Sequence, residues 1–189
     1  MTAQLPISTS PQPARLTARD FWLLADAGAF REYVKAELIE GELRVVNAVH
    51  SRHARVHAML TVEIGIALKA MRSPLILLST PSMELGDDSV PEPDIALARR
   101  ADGKAIAGSD VVLAVEISDT TLDDDLGRKM RLYAAHGIAE YWVADVERQV
   151  IHQLWSPGAE GYAERREVAL GERIEAVTIA ALGVETRGI

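Results

Sequence analysis

Cysteine is absent from the 189-residue sequence. Its absence excludes disulfides, thiolate metal sites and cysteine nucleophiles. Any metal site must then draw on Asp, Glu, His or backbone oxygen. Long apolar runs are also missing, and none approaches the roughly 20 residues needed to span a bilayer. The opening segment, MTAQLPISTSPQPARLT, has neither the basic start nor the apolar stretch of a secretory signal. A cytoplasmic protein with no membrane partner is the expectation. No GxxxxGK phosphate loop and no GxSxG elbow occurs, so NTPase and serine-hydrolase readings lack support. Basic residues are the minority: 20 Lys and Arg face 28 Asp and Glu, for a net charge of −8. That balance counts against a broad nucleic-acid-binding surface, which needs clustered cations. It still allows a local basic groove, or a metal that supplies the positive charge.

What is present reads as an ordinary globular chain, with 48% hydrophobic and 25% charged residues. The length fits one domain. Residues 1–15, rich in Pro, Ser, Thr and Gln, read as a mobile tail, and 16–189 as a single domain. Thr17 can cap a helix over 17–27, with Asp20 in its first turn. Around Glu40-Gly41 two short runs predict a hairpin over 36–47. Apolar residues Val56, Leu60, Ile64 and Leu68 recur at helical spacing, so 51–71 reads as a long helix ended before Pro74. Short strands follow at 75–79 and 83–85. The segments PDIALA (93–98) and VVLAVEI (111–117) look like central strands, the second covered on both faces. A helix over 122–136 ends at Gly137. Residues 140–145 and 150–155 form a hairpin pair, and 162–169 and a weak C-terminal strand close the chain. The fold class is therefore α/β in the mixed α+β sense, a central mixed β-sheet with helices against it.

Two carboxylates stand out. Asp94 opens one central strand and Glu116 lies near the end of another. Neighbouring strands run about 4.8 Å apart, so carboxylates at matched heights can share one cation. Mg²⁺ or Mn²⁺ suits such oxygen ligands, and the Ile117 carbonyl could add a third. Either acid alone would ordinarily be a solvated strand end. A Glu inside VVLAVEI is different, because a lone buried carboxylate costs several kcal/mol or stays protonated. It calls for a cation, a basic side chain or a metal. Lys129 falls on the margin of the helical stripe formed by Leu126, Met130 and Tyr133, about 60° from Leu126. Its stem could cover apolar surface while the ammonium reaches the end of the Glu116 strand. On helix pattern alone it reads as an ordinary exposed lysine. His53 and His57 are spaced i, i+4 as zinc ligands are, but no HExxH frame surrounds them. Trp142 and Trp155 read as core or interface aromatics. Asp123 and Asp124 read as solvated charge at a helix start.

Taken in order, the segments AELIEGEL (36–43), the His53 helix, PEPDIALA (91–98), VVLAVEIS (111–118), DLGRKMRLYAAHGIAEYWVAD (125–145) and VIHQLW resemble the PD-(D/E)XK nuclease superfamily. The likeness is to a branch of restriction-endonuclease-like proteins long labelled a domain of unknown function, and it covers about residues 17–155. The resemblance implies a restriction-endonuclease-like core. It places Asp94 at the motif aspartate, after Pro93, and Glu116 at the (D/E) position. The motif lysine would fall on Ser118 and is missing there; in this branch it stands on the following helix, here Lys129. Glu37 matches an upstream acidic residue that can complete the metal site. Asp125 and Tyr133 match the branch pattern, and His53 matches a position at the site edge. Asp119 replaces a proline common in the branch and adds negative charge where phosphate should approach.

The implied function is a Mg²⁺- or Mn²⁺-dependent endonuclease hydrolysing DNA. Glu37, Asp94, Glu116 and the Ile117 carbonyl would hold the metal, and Asp94, Glu116 and Lys129 would carry the chemistry. One rival is a nuclease fold that binds or regulates without cutting, favoured by the net charge of −8. Another is a structural homodimer joined through exposed strands and tryptophans.

Overall fold

The computed structural model describes residues 13–48 and 50–189. Residues 1–12 of the predicted tail lie outside the described residues. Helix α1 (Ala18–Asp26) starts where expected, because Thr17 and Asp20 cap each other. The Asp20 N–H donates to the Thr17 hydroxyl, while the Asp20 carboxylate accepts the Thr17 backbone N–H at 2.9 Å and its hydroxyl at 2.7 Å. Strands β1 (Lys35–Ile39) and β2 (Glu42–Val46) form the predicted hairpin. Glu40 and Gly41 have φ of 50° and 78°, the pair of left-handed values that a two-residue primed turn needs.

Helix α2 (Ser51–Ala70) turns Val56, Leu60, Ile64 and Leu68 inward. Next come β3 (Ile76–Ser79), the short β4 (Met83–Glu84), β5 (Ile95–Ala98), β6 (Ile106–Ala107) and β7 (Val111–Ser118). The predicted strand from Pro93 begins later, at Ile95. Proline offers no N–H to a ladder, and the Asp94 carbonyl is already taken by the Thr80 N–H. After β7 the chain coils through α3 (Leu122–Asp124), a π-helical turn (Asp125–Lys129) and α4 (Met130–Ala135). Strands β8 (Glu140–Asp145), β9 (Val150–Gly158), β10 (Gly161–Ala169), β11 (Arg173–Glu175) and β12 (Gly183–Glu185) complete the chain.

Six strands make one mixed sheet in the order β10-β9-β8-β7-β5-β3. Only β7 and β8 run parallel, as their helical connection requires. Both are buried along their whole length. Large side chains fill the face under α2, where Ile95, Leu97, Leu113, Val115 and Trp142 pack on Leu60 and Ile64. The opposite face carries small ones, Ala96, Ala98 and Ala114, which leave room for Tyr133 and Tyr141 beside α4. Asp94 and Glu116 belong to this second, roomier face by strand alternation. No helix among the described residues is long and apolar enough to cross a membrane.

Candidate active site

The antiparallel register sets Ile95 opposite Val115. One step further, Asp94 falls opposite Glu116, on the same face. The Ile117 N–H donates to Asp94 Oδ2 at 2.7 Å, which fixes one carboxylate to the neighbouring strand. From the other side, α2 reaches over the strand ends. His53 Nε2 lies 3.1 Å from Asp94 Oδ2, and His57 Nε2 lies 2.9 Å from the Asp94 carbonyl oxygen. The two imidazoles with zinc-like spacing therefore both brace Asp94.

Glu37 arrives on the hairpin. Leu38 makes a two-bond bridge with Val90, which clips β1 to the segment leading into Asp94. The Glu92 N–H then donates to Glu37 Oε1 at 2.8 Å. Arg128, in the π-helical turn, holds the hairpin end through Glu40, Glu42 and the Ile39 carbonyl. Lys129 follows Arg128 and turns inward, only 4% exposed. Its ammonium lies 3.0 Å from both Glu37 Oε1 and Glu116 Oε1. The Tyr133 hydroxyl donates to the same Glu116 oxygen at 2.8 Å. The ordinary-exposed-lysine reading is thus overturned. A π turn carries an extra residue, so the regular 100° wheel misplaces this stretch. Asp125 and Lys129, not Leu126, form its most buried face. The Tyr141 hydroxyl accompanies the turn by donating to the Asp125 carbonyl.

A cleft of about 380 Å³ brings Glu37, Asp94, Glu116, Ile117 and Lys129 together, with Lys35 and Asp125 beside them. Every predicted site residue lines it. Sequence reading missed Lys35 and Arg44. Lys35 shares a strand face with Glu37 two residues on, and Arg44 pairs with Glu37 across the hairpin. Asp124, read as solvated, instead binds Arg44 at 2.6 Å.

Charge in the cleft is unevenly held. Burial pushes Glu116 up to about 8, against the pull of Lys129 and Lys35, and Asp94 and Asp125 add to the rise. Burial would also raise Glu37, but Lys129, Lys35 and the Glu92 N–H outweigh it and hold that carboxyl below the ordinary range. One ammonium thus serves two acids. Glu37, with two further donors, keeps the negative charge, and Glu116 keeps a proton more readily. Burial would raise Asp94 too, but the His53 hydrogen bond, the charges of Lys35 and His53 and the Ile117 N–H together hold it low. Burial opposes the Lys129 charge, yet Glu116, Glu37 and Asp125 hold its pKa well above the usual lysine value.

Glu37, Asp94, Glu116 and the Ile117 carbonyl fit a hard divalent cation by donor chemistry: each offers oxygen, and carboxylates outnumber the ammonium groups that line the cleft. No group of three acidic or imidazole side chains stands at coordinating geometry among the described residues. Lys129 occupies the space between two of the acids.

The fold and its carboxylate cleft define a nuclease-type α+β protein of the PD-(D/E)XK class. The chain belongs to the Uma2 family, described as "Putative restriction endonuclease", which matches residues 20–186. Among solved structures it is similar to a "putative nuclease belonging to DUF820" from Anabaena variabilis ATCC 29413. That match has a TM-score of 0.61 and 17% identity, covering 85% of this chain and 89% of the other. No curated protein matches.

Proposed function

We propose that this chain is a divalent-metal-dependent endonuclease that hydrolyses DNA phosphodiester bonds in the cytoplasm. One observation carries the reading: Glu37, Asp94 and Glu116, far apart in sequence, line one cleft with Lys129 among them. Asp94 and Glu116 would hold Mg²⁺ or Mn²⁺, with Glu37 and the Ile117 carbonyl completing the set. When bound, the cation lowers the pKa of a ligated water and offsets charge on the scissile phosphate.

The chain's own groups do the rest. His53 and the Ile117 N–H fix the Asp94 carboxylate in place. Tyr133 and Lys129 do the same for Glu116. The Lys129 ammonium supplies a buried positive charge that orients water or an anionic oxygen through hydrogen bonds. Low solvent access around these groups strengthens each electrostatic contact.

The test is calorimetry with Mn²⁺ and Mg²⁺ beside a DNA cleavage assay. Asp94→Asn keeps an acceptor for the Ile117 N–H and so preserves the fold. It should abolish both cation binding and cleavage, and so should Glu116→Gln. Cleavage by either variant at the parent rate would sink the assignment. A second reading, a nuclease fold that binds without cutting, draws on the ion pairing of Lys35, Arg44 and Lys129 with cleft acids. Cation binding without turnover on any DNA would favour it. We also propose a homodimer, supported by Val62 and Ile66, one turn apart on α2 and each 57% exposed. A light-scattering concentration series tests it.

A further inference from the structure

Two ammonium groups line the cleft, and they are held differently. Lys129 is enclosed, with 6% of its side chain accessible, and two of its three N–H donors are spent at 3.0 Å on Glu37 and Glu116. Lys35 keeps 17% of its side chain accessible. Its one carboxylate contact among the described residues is Glu37 Oε1 at 3.4 Å, against roughly 2.7–2.9 Å for a charge-assisted hydrogen bond. Arg44, the remaining cation of the cleft, is hydrogen-bonded to Asp124 at 2.6 Å.

Lys35 opens β1, and strand alternation turns it to the same face as Glu37. Its register partner Val46 lines the cleft too. From that place its charge favours the ionised form of Glu37, Asp94 and Glu116 alike. Lys129 acts in this way on Glu37 and Glu116, but the main influences on Asp94 do not include it. Lys35 is therefore the ammonium that reaches all three acids while remaining the more accessible of the two. Its contact with Glu37 is too long to hold it firmly, so a phosphate oxygen can compete for it.

We propose that Lys35 is a catalytic residue of this cleft, donating a hydrogen bond to a non-bridging oxygen of the scissile phosphate, while Lys129 stays among the acids and positions them. The inference rests on the nuclease reading above and adds a substrate-touching group to it. An ammonium already in place at that oxygen stabilises the charge that develops there in the transition state.

The test compares the full chain with its Lys35→Met and Lys35→Arg variants on one labelled DNA duplex. Anisotropy in Ca²⁺ across a salt series reads binding, and cleavage in Mn²⁺ reads turnover. Loss of one phosphate contact should make the log–log salt slope about 0.9 shallower in Lys35→Met. Its kcat should fall about 100-fold, as when one such donor is removed. Lys35→Arg keeps the charge and should recover the parent slope and part of the turnover. Mn²⁺ affinity, read by calorimetry, should rise about threefold in Lys35→Met, because a positive charge beside the acids is gone. A residue that only props Glu37 would lower that affinity instead. Urea unfolding checks that the variant folds, and Lys35→Gln replaces it for the same measurements if it does not. An unchanged salt slope, an unchanged kcat or a fall in Mn²⁺ affinity overturns this inference and leaves the nuclease reading standing. A parent chain that neither binds nor cleaves DNA overturns both.

Discussion

The Lys129 ammonium lies 3.0 Å from Glu116 Oε1, and the two residues are only 4% and 3% exposed. A buried ion pair of this kind adds little net stability, but removing one partner strands the other. Lys129→Met leaves Glu37, Asp94 and Glu116 facing one another without their ammonium. Glu116 can take up a proton, which softens the loss. The expected cost without divalent ions is about 2–3 kcal/mol, read by urea unfolding. Added Mn²⁺ should recover more stability in this variant than in the parent, because the cation replaces the missing charge. A variant as stable as the parent and indifferent to Mn²⁺ would show that the acids do not act as one electrostatic group.

The hairpin that carries Glu37 depends on its turn. Gly41 sits at φ 78°, and a Cβ there would lie 2.9 Å from Arg15 Cβ and 3.2 Å from the Leu16 carbonyl oxygen. Gly41→Ala therefore meets both backbone strain and crowding, and should cost about 1–2 kcal/mol. Because the hairpin positions Glu37, Mn²⁺ affinity should fall with it. Calorimetry and thermal melting on the same variant separate the two effects. Unaltered melting would mean that the turn relaxes without cost.

Thr17→Ala removes the hydroxyl that accepts the Asp20 N–H, and should lower stability by about 1 kcal/mol at neutral pH. Asp20 also adds a pH signature. The Thr17 hydroxyl and backbone N–H hold its carboxyl below the usual range. A depressed folded pKa stabilises above the unfolded value and loses that contribution as pH falls through the folded one. The difference between parent and variant should accordingly shrink in acid. Melting curves on both sides of the carboxylate range measure it, and a pH-independent difference would contradict the capping box.

Much of this was legible in the sequence, for physical reasons. Periodicity marked α2, because Val56, Leu60, Ile64 and Leu68 form its inner stripe. Glu116 announced itself as a carboxylate in an apolar strand that had to find a partner. Glu40-Gly41 marked the turn, since few residues accept paired left-handed values. The π-helical turn was not legible. It keeps helical composition, and its extra residue shows only once Tyr141 meets the Asp125 carbonyl from a distant strand. Lys35 and Arg44 escaped notice for a similar reason, as their places in the cleft follow from how the hairpin docks through Leu38 and Val90. Local pattern reports which face a residue takes, and docking decides what that face meets.

Glu140 supplies the sharpest test of that distinction. It looked like the first residue of an ordinary strand, yet it is fully buried and gathers donors from three parts of the chain. Its two oxygens accept the Trp142 indole N–H at 2.7 Å, the Gln153 amide, the Val177 N–H at 2.9 Å, and the Thr178 N–H and hydroxyl, both at 2.8 Å. This node ties the segment between β11 and β12 to the sheet. Glu140→Gln keeps the shape but turns an NH₂ either toward the Val177 and Thr178 backbone N–H groups or toward the Trp142 indole N–H, none of which can accept. The expected cost is about 2–4 kcal/mol, since buried donors lose their acceptor. Hydrogen exchange should accelerate first at the Val177 and Thr178 amides and much less within β8. Glu140 points to the α2 face, away from Glu116, so Mn²⁺ affinity at temperatures where the variant stays folded should match the parent. A fall in that affinity would mean the two faces of the sheet are coupled, and that the cleft depends on the C-terminal segment.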